Sequence, residues 1–194
     1  LLKYTLGIFL NSSTTFKYIL EEKSIFYSLK TVIIFGLLYT AICFIAYSNH
    51  IEPITPPLLN IELSKFYLYA AIYCIPMFFL FWIVVAGFIQ VLARYFGGKG
   101  SFEETLQVIG IGLYVPLYIM ALIDLLIAIY ILPGYLFKPN LILGNLYTII
   151  PTIWSIITTI IASKEVQKLS WLKSIFITII ALLPVAALSF VFIR

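Results

Sequence analysis

The chain carries 194 residues, of which 63% are hydrophobic and only 10% charged, and its mean hydropathy is +1.11. A soluble domain keeps about a quarter of its residues charged to face water, so this composition excludes a soluble globule of 22.1 kDa. The net charge of +4 is read as a sidedness signal and not as a nucleic-acid footprint, because Lys and Arg mark the cytoplasmic loops of membrane proteins.

Length and the lack of a Pro/Gly/Ser-rich linker indicate one domain over residues 1–194. Residues 1–28 form a lead-in. Its first ten residues are apolar but hold one lysine and no small-residue cleavage site, so a signal peptide is not expected. Residues 13–28 place Phe16, Ile19, Leu20, Ile25 and Phe26 among Lys17, Glu21, Glu22 and Lys23. That pattern fits a short helix lying in the membrane interface, or a cytoplasmic extension of the first span.

A membrane-crossing helix needs about 20 mainly apolar residues. Five stretches qualify, at about 29–47, 66–92, 102–132, 141–162 and 171–193. They are rich in Ile, Leu, Phe and Val without the alternation of a barrel strand. The second to fifth spans each hold one proline, at Pro76, Pro116, Pro151 and Pro184. Proline kinks a helix and frees a carbonyl, which membrane bundles tolerate when neighbours satisfy it. Cys43 and Cys74 lie inside apolar segments without metal-ligand spacing, and read as two buried thiols. His50, the single histidine, reads as a solvated residue of an outer loop.

With the N-terminus inside, the inner segments hold Lys3, Lys17, Lys23, Lys30, Arg94, Lys99, Lys164, Lys168 and Lys173, whereas the outer ones hold Lys65, Lys138 and Arg194. This bias predicts an all-α, polytopic bundle of five transmembrane helices, N-terminus cytoplasmic and C-terminus outside.

The sharpest local pattern runs from Arg94 to Glu104. Gly97 is placed to close the second span in a left-handed conformation. Ser101 and Glu104 have the spacing of a capping box at the start of the third, and Glu103 and Glu104 suit the helix dipole. Together they predict a tight cytoplasmic hairpin through Gly97, Gly98, Lys99, Gly100, Ser101 and Phe102. The glycines are not a P-loop, because the order of Lys and Gly is wrong and no strand precedes them.

The run Gly-Gly-Lys-Gly-Ser-Phe-Glu-Glu-Thr-Leu at 97–106, after a long apolar helix and before Gly110 and Pro116, resembles the signature of the Yip-domain family. The stretch from Gly7 to Phe16 is similar to that family's entry segment, with Ser12 where the usual proline of an Asn-Pro pair stands. The family takes its name from interaction with Ypt/Rab small GTPases. Its eukaryotic members bind prenylated Rab proteins in ER–Golgi vesicle traffic, and prokaryotic relatives lack that machinery. The resemblance implies five spans and a binding or scaffolding role, in membrane organisation or partner recruitment through the cytoplasmic face. The implied partners are the lipid bilayer and membrane or small-GTPase-type proteins, with a homo-oligomer left open. The implied location is the plasma membrane in a prokaryote, or ER and Golgi in a eukaryote. The excess of Ile and of Lys over Arg points to a prokaryotic member.

No HExxH, GxSxG or intramembrane His/Ser or aspartate pair is present, so neither an enzyme nor a cofactor or metal is expected. Asp124 is the one ionisable residue deep inside a span, and such residues are functional candidates by default. Folding the second and third spans back on each other about Lys99 sets Asp124 at the depth of Tyr73 and Cys74. Its helix face, shared with Leu117, Ala121 and Ala128, is expected to point into the bundle. A hydrogen bond to Tyr73 is expected, with Thr148 as the alternative. That arrangement serves as a structural polar lock. In the competing reading, a small transporter or channel, Asp124 and the proline kinks form a proton or ion site.

Overall fold

The computed structural model describes residues 2–53, 58, 61–130 and 142–192. Among them the chain is helical: α1 (Leu2–Glu22), α2 (Phe26–Ser48), α3 (Phe66–Tyr95), α4 (Phe102–Tyr114), α5 (Leu117–Tyr130), α6 (Ile142–Gln167) and α7 (Trp171–Phe192). A single 3-10 turn, Leu63–Lys65, leads into α3. Four helical stretches are long and apolar enough to cross a membrane, and α4 with α5 makes a fifth when the pair is taken as one span. In hydrocarbon every backbone group must be satisfied within the protein, so apolar runs of this length fold as helices. The chain is an all-α polytopic membrane bundle.

In the third span the kink expected at Pro116 goes further, to a break between α4 and α5, which are bent by 41°. The cause is Pro116. Its missing N–H leaves the carbonyl four residues back, on Gly112, without an intrahelical donor. The Thr158 hydroxyl of α6 lies 2.6 Å from that carbonyl, nearer than the Trp154 and Ser155 carbonyls of its own helix at 2.8 and 3.0 Å, and Ser155 takes the neighbouring Leu113 carbonyl at 2.6 Å. A hydroxyl on the facing helix thus stabilises the break that the proline opens.

α4 is the axis of the bundle, buried from Gln107 to Tyr114. It packs against α2, α3 and α6, and Trp82 of α3 donates to its Leu106 carbonyl at 3.0 Å. Beyond the bend, α5 packs against α2 and α6, while α7 packs against α3 and α6. An aromatic cluster joins the layers: the Phe35 ring lies 4.8 Å from Phe78 and 5.0 Å from Tyr114.

The lead-in also differs. The short helix expected at 13–28 belongs to a helix that begins at Leu2 and is broken at Asn11 (φ −154°, ψ 87°). The Asn11 side chain accepts the Thr14 N–H at 3.2 Å, so it caps the second half as an N-cap residue does. Ser12 therefore occupies the first helical position, the one where proline is best tolerated. α1 ends at Glu22, and Ile25 and Phe26 lie beyond it. Its buried face, with Tyr4, Ile8, Phe16 and Ile19, docks on α4 and α6. Leu2, Leu6 and Leu10 form an exposed apolar stripe on its first half.

Candidate functional site

The hairpin between α3 and α4 is built from two local devices. Past the end of α3, Gly97 adopts φ +81°, its N–H reaches the Arg94 carbonyl at 3.3 Å, and the Gly98 N–H reaches Ala93 at 2.8 Å. This paired closure satisfies orphan carbonyls and requires a left-handed residue, which glycine supplies without a Cβ penalty. At the start of α4, the Ser101 hydroxyl accepts the Glu104 N–H at 3.1 Å, while the Ser101 N–H donates to the Glu104 carboxylate at 2.8 Å. The reciprocal pair is a capping box.

A third device ties the hairpin to α6. Gln90 of α3, Thr105 of α4 and Gln167 of α6 are all buried. The Gln167 amide donates to Gln90 Oε1 at 2.7 Å and lies 2.8 Å from Thr105 Oγ1. The Gln90 amide donates to the Gly100 carbonyl at 2.9 Å, and the Gly100 N–H donates to Gln167 Oε1 at 3.2 Å. Thr105 donates to Gln90 Oε1 at 2.8 Å, and the Lys99 N–H reaches the Gln167 carbonyl at 3.1 Å. Every polar side-chain atom of the two glutamines is used. A buried network satisfied in this way fixes one geometry.

The lock accounts for the remaining glycines. A Cβ on Gly98 would come within 2.7 Å of Gln167 Oε1 and 2.8 Å of the Ala93 side chain, and one on Gly100 within 2.6 Å of the Val166 carbonyl. Sequence reading passed over Gln90, Thr105 and Gln167. Their signal was present as two glutamines near the ends of apolar helices.

The N-terminal helix joins the same end of the bundle. Ser13 donates to Glu165 Oε1 at 2.8 Å, Lys164 pairs with the same oxygen at 3.0 Å, and Lys17 lies 3.8 Å from Oε2. Lys173 reaches the Phe96 carbonyl at 3.2 Å. The lead-in, the 94–104 hairpin and the 163–170 turn therefore form one surface. A cleft of about 240 Å³ opens there between Glu21, Lys99, Glu104, Glu165 and Lys168, and Lys99 itself is exposed. At the far end, Lys65 pairs with Glu62 at 2.6 Å.

Asp124 lies on α5 with buried Ala121, on the face opposite exposed Leu122 and Leu126. It is close enough to Tyr39 of α2 to interact with it electrostatically. Tyr73, the expected partner, donates its hydroxyl to the Phe192 carbonyl at 2.6 Å. The bend at Pro116 carries α5 onto α2 and α6, so the alignment of α3 with α5 assumed for a straight hairpin does not form. Thr148, the alternative partner, stands on α6.

Cys43 and Cys74 are free and buried, side by side where α2 packs on α3. His50 follows α2 in a left-handed conformation (φ 56°), its N–H on the Tyr47 carbonyl. It serves to close the helix. Among the described residues, no three His, Cys, Asp or Glu side chains converge as a metal site.

These features define a multi-pass, all-α membrane protein whose spans are joined at one end by a locked glycine hairpin. The family model of the Yip1 domain matches residues 6–193. The chain belongs to the Yip1 domain family. Comparison with curated proteins gives no match, and comparison with solved structures gives none.

Proposed function

We propose that this protein is a membrane scaffold of Yip type that recruits partners at the end of the bundle where α1, the 94–104 hairpin and the 163–170 turn meet, and that this end faces the cytoplasm. The observation that carries the reading is the buried Gln90–Thr105–Gln167 network, which ties the hairpin to α3 and α6, while Ser13 and Glu165 join α1 to the same end. A binding surface held in one geometry loses less freedom on association. Sidedness is supported by the charge distribution, since nine of the twelve Lys and Arg residues fall in segments assigned to this end. Family membership supports a membrane or small-GTPase-type protein as the partner class. The unit acting is the single domain over 1–194, in the plasma membrane of a prokaryote or the ER and Golgi of a eukaryote.

The test is photo-crosslinking in native membranes from a reactive group at position 99 and, in parallel, at position 49 beyond the other end of α2. Crosslinks to a protein partner from 99 and none from 49 are expected. Crosslinks from 49 alone overturn the reading. Solute flux through the purified protein in liposomes, in proportion to a gradient, replaces it with a transporter.

A further inference from the structure

The bend that opens at Pro116 leaves a space inside the bundle. Around the bend, between α4–α5 and the helices α2, α3, α6 and α7, lies a cavity of about 320 Å³. Its wall is formed by Phe81, Leu117, Met120, Ile156, Leu182 and Val185, with residues from all five spans.

Three features define what this cavity can take. The first is polarity. The Tyr114 hydroxyl in its wall donates to the Phe78 carbonyl at 2.6 Å, Ser155 to Leu113 at 2.6 Å and Thr152 to Thr148 at 2.7 Å. The protons of these hydroxyls are engaged by backbone carbonyls, and Tyr39 and Ser189 complete the polar part of the wall. A bound water needs two to four polar partners, and apolar cavities take up hydrocarbon instead.

The second feature is depth. Phe81 stands about 20 Å from either end of α3 at 1.5 Å rise per residue. The hydrocarbon layer is about 30 Å thick, so the cavity lies within it. The third is access and size. Ala186, one of the lining residues, is exposed, so the cavity is reached from outside the bundle at that depth. Its volume is roughly twice the ~150 Å³ that accommodates a benzene ring, which leaves room for about a dozen carbons.

We propose that this cavity binds one acyl chain of a bilayer phospholipid. The inference does not depend on the partner-recruitment reading: it concerns the membrane core, not the hairpin end. An acyl chain is the one hydrocarbon that surrounds the protein at this depth at all times. Bound there, it fills the space between the five spans that no side chain occupies.

The test uses the full chain in liposomes of phosphatidylcholine carrying a terminal diazirine on one acyl chain, irradiated and mapped by peptide mass spectrometry. Exposed Leu122 and Leu183 report contact with ordinary bilayer lipid. Phe81 and Tyr114 are only 3% and 2% exposed, so a chain reaches them only through the cavity. Labelling of Phe81 and Tyr114 is expected at a level comparable to that of Leu122 and Leu183. Ala186→Trp, which sets an indole into the opening, is expected to lower the inner labels about tenfold and leave the outer ones unchanged. Labels confined to Leu122 and Leu183 in the unaltered protein overturn the proposal, as do inner labels that Ala186→Trp leaves untouched. Should the tryptophan disrupt the bundle, seen as altered outer labelling, Ala186→Leu repeats the comparison.

Discussion

Gln167 Nε2 stands 2.7 Å from Gln90 Oε1, a hydrogen bond between residues 77 positions apart in the chain. Both side chains are buried, and neither belongs to the hairpin that they hold. The geometry makes the Gly100 peptide depend on α3 for its carbonyl and on α6 for its N–H. Turn, span and C-terminal half of the bundle are thereby coupled at one point.

Removing one partner exposes that coupling. Gln167→Ala leaves the Gly100 N–H without its partner in a buried place, at a cost of about 1–3 kcal/mol, and takes one of two donors from Gln90 Oε1. Gln167→Ala is expected to lower the unfolding midpoint in detergent. Gln90→Ala added to it is expected to cost less than in the unaltered protein, because the two residues serve one network. Additive losses would show that the network is not shared.

The glycines of the hairpin are expected to differ in kind. Gly97 has φ +81° but open space around its Cβ position, so Gly97→Ala meets only the conformational cost of about 1 kcal/mol. Gly98 meets the Ala93 side chain and carbonyl at 2.8 and 2.9 Å, so Gly98→Ala must displace backbone as well as Gln167. The larger loss of stability is expected at Gly98, with Gly98→Ala also loosening the protection of the Gly100 amide in hydrogen exchange.

How far the chain could be read depended on the range of each interaction. The spans are long apolar runs, and the hairpin devices act across at most six residues, so Gly97 and the Ser101–Glu104 pair were legible. The lock was not, because nothing near Gln90 names Gln167 as its partner. Pro116 marked a kink but not its direction, which is decided by Thr158 and Ser155 on another helix. α1 was only half legible, since the break at Asn11 shifts the helical phase between its two pieces, and no single apolar face runs through both.

Acid and base are expected to release α1 from opposite sides. Its two ends are clasped by a hydrogen bond from the Tyr4 hydroxyl to Glu22. That bond holds the Glu22 carboxyl below its usual range. A depressed carboxyl contributes stability above the unfolded-state value, about 4.3, and loses it as pH falls through the lower folded value. Burial, aided by the Glu22 bond, pushes the Tyr4 hydroxyl up to about 12, so its contribution holds below pH 10 and fades as pH rises toward 12. Hydrogen exchange along residues 2–22 is expected to quicken below about pH 4 and above about pH 10. Glu22→Gln is expected to abolish the acid limb.

Sidedness can be read with the native thiols in place. Cys43 is 4% exposed and Cys74 2%, so neither meets an impermeant maleimide in the folded protein. Lys99→Cys and Glu52→Cys lie at opposite ends of the bundle. Labelling of position 52 from outside intact cells, and of position 99 only after permeabilisation, is expected. The same sidedness at both positions would overturn the five-span topology.

The bend in the third span offers the sharpest test, because two residues on different helices solve one problem. Pro116 removes a backbone donor, and the Gly112 carbonyl that loses it is served by the Thr158 hydroxyl. Thr158→Val keeps the shape of the side chain and deletes the donor, leaving a carbonyl unpaired in the core at a cost of about 1–3 kcal/mol. Pro116→Ala restores an N–H at the position from which a continuous helix would satisfy Gly112. In that background Thr158→Val is expected to lose most of its effect. A double-mutant cycle on stability in detergent should therefore show coupling of about 1 kcal/mol or more between residues 42 positions apart. Pro116→Ala is also expected to straighten α4 and α5, which electron spin distances between labels on Glu103 and Ile129 would register as a lengthening. If the two substitutions add independently, the hydroxyl is not standing in for the proline's missing donor, and the bend has another cause.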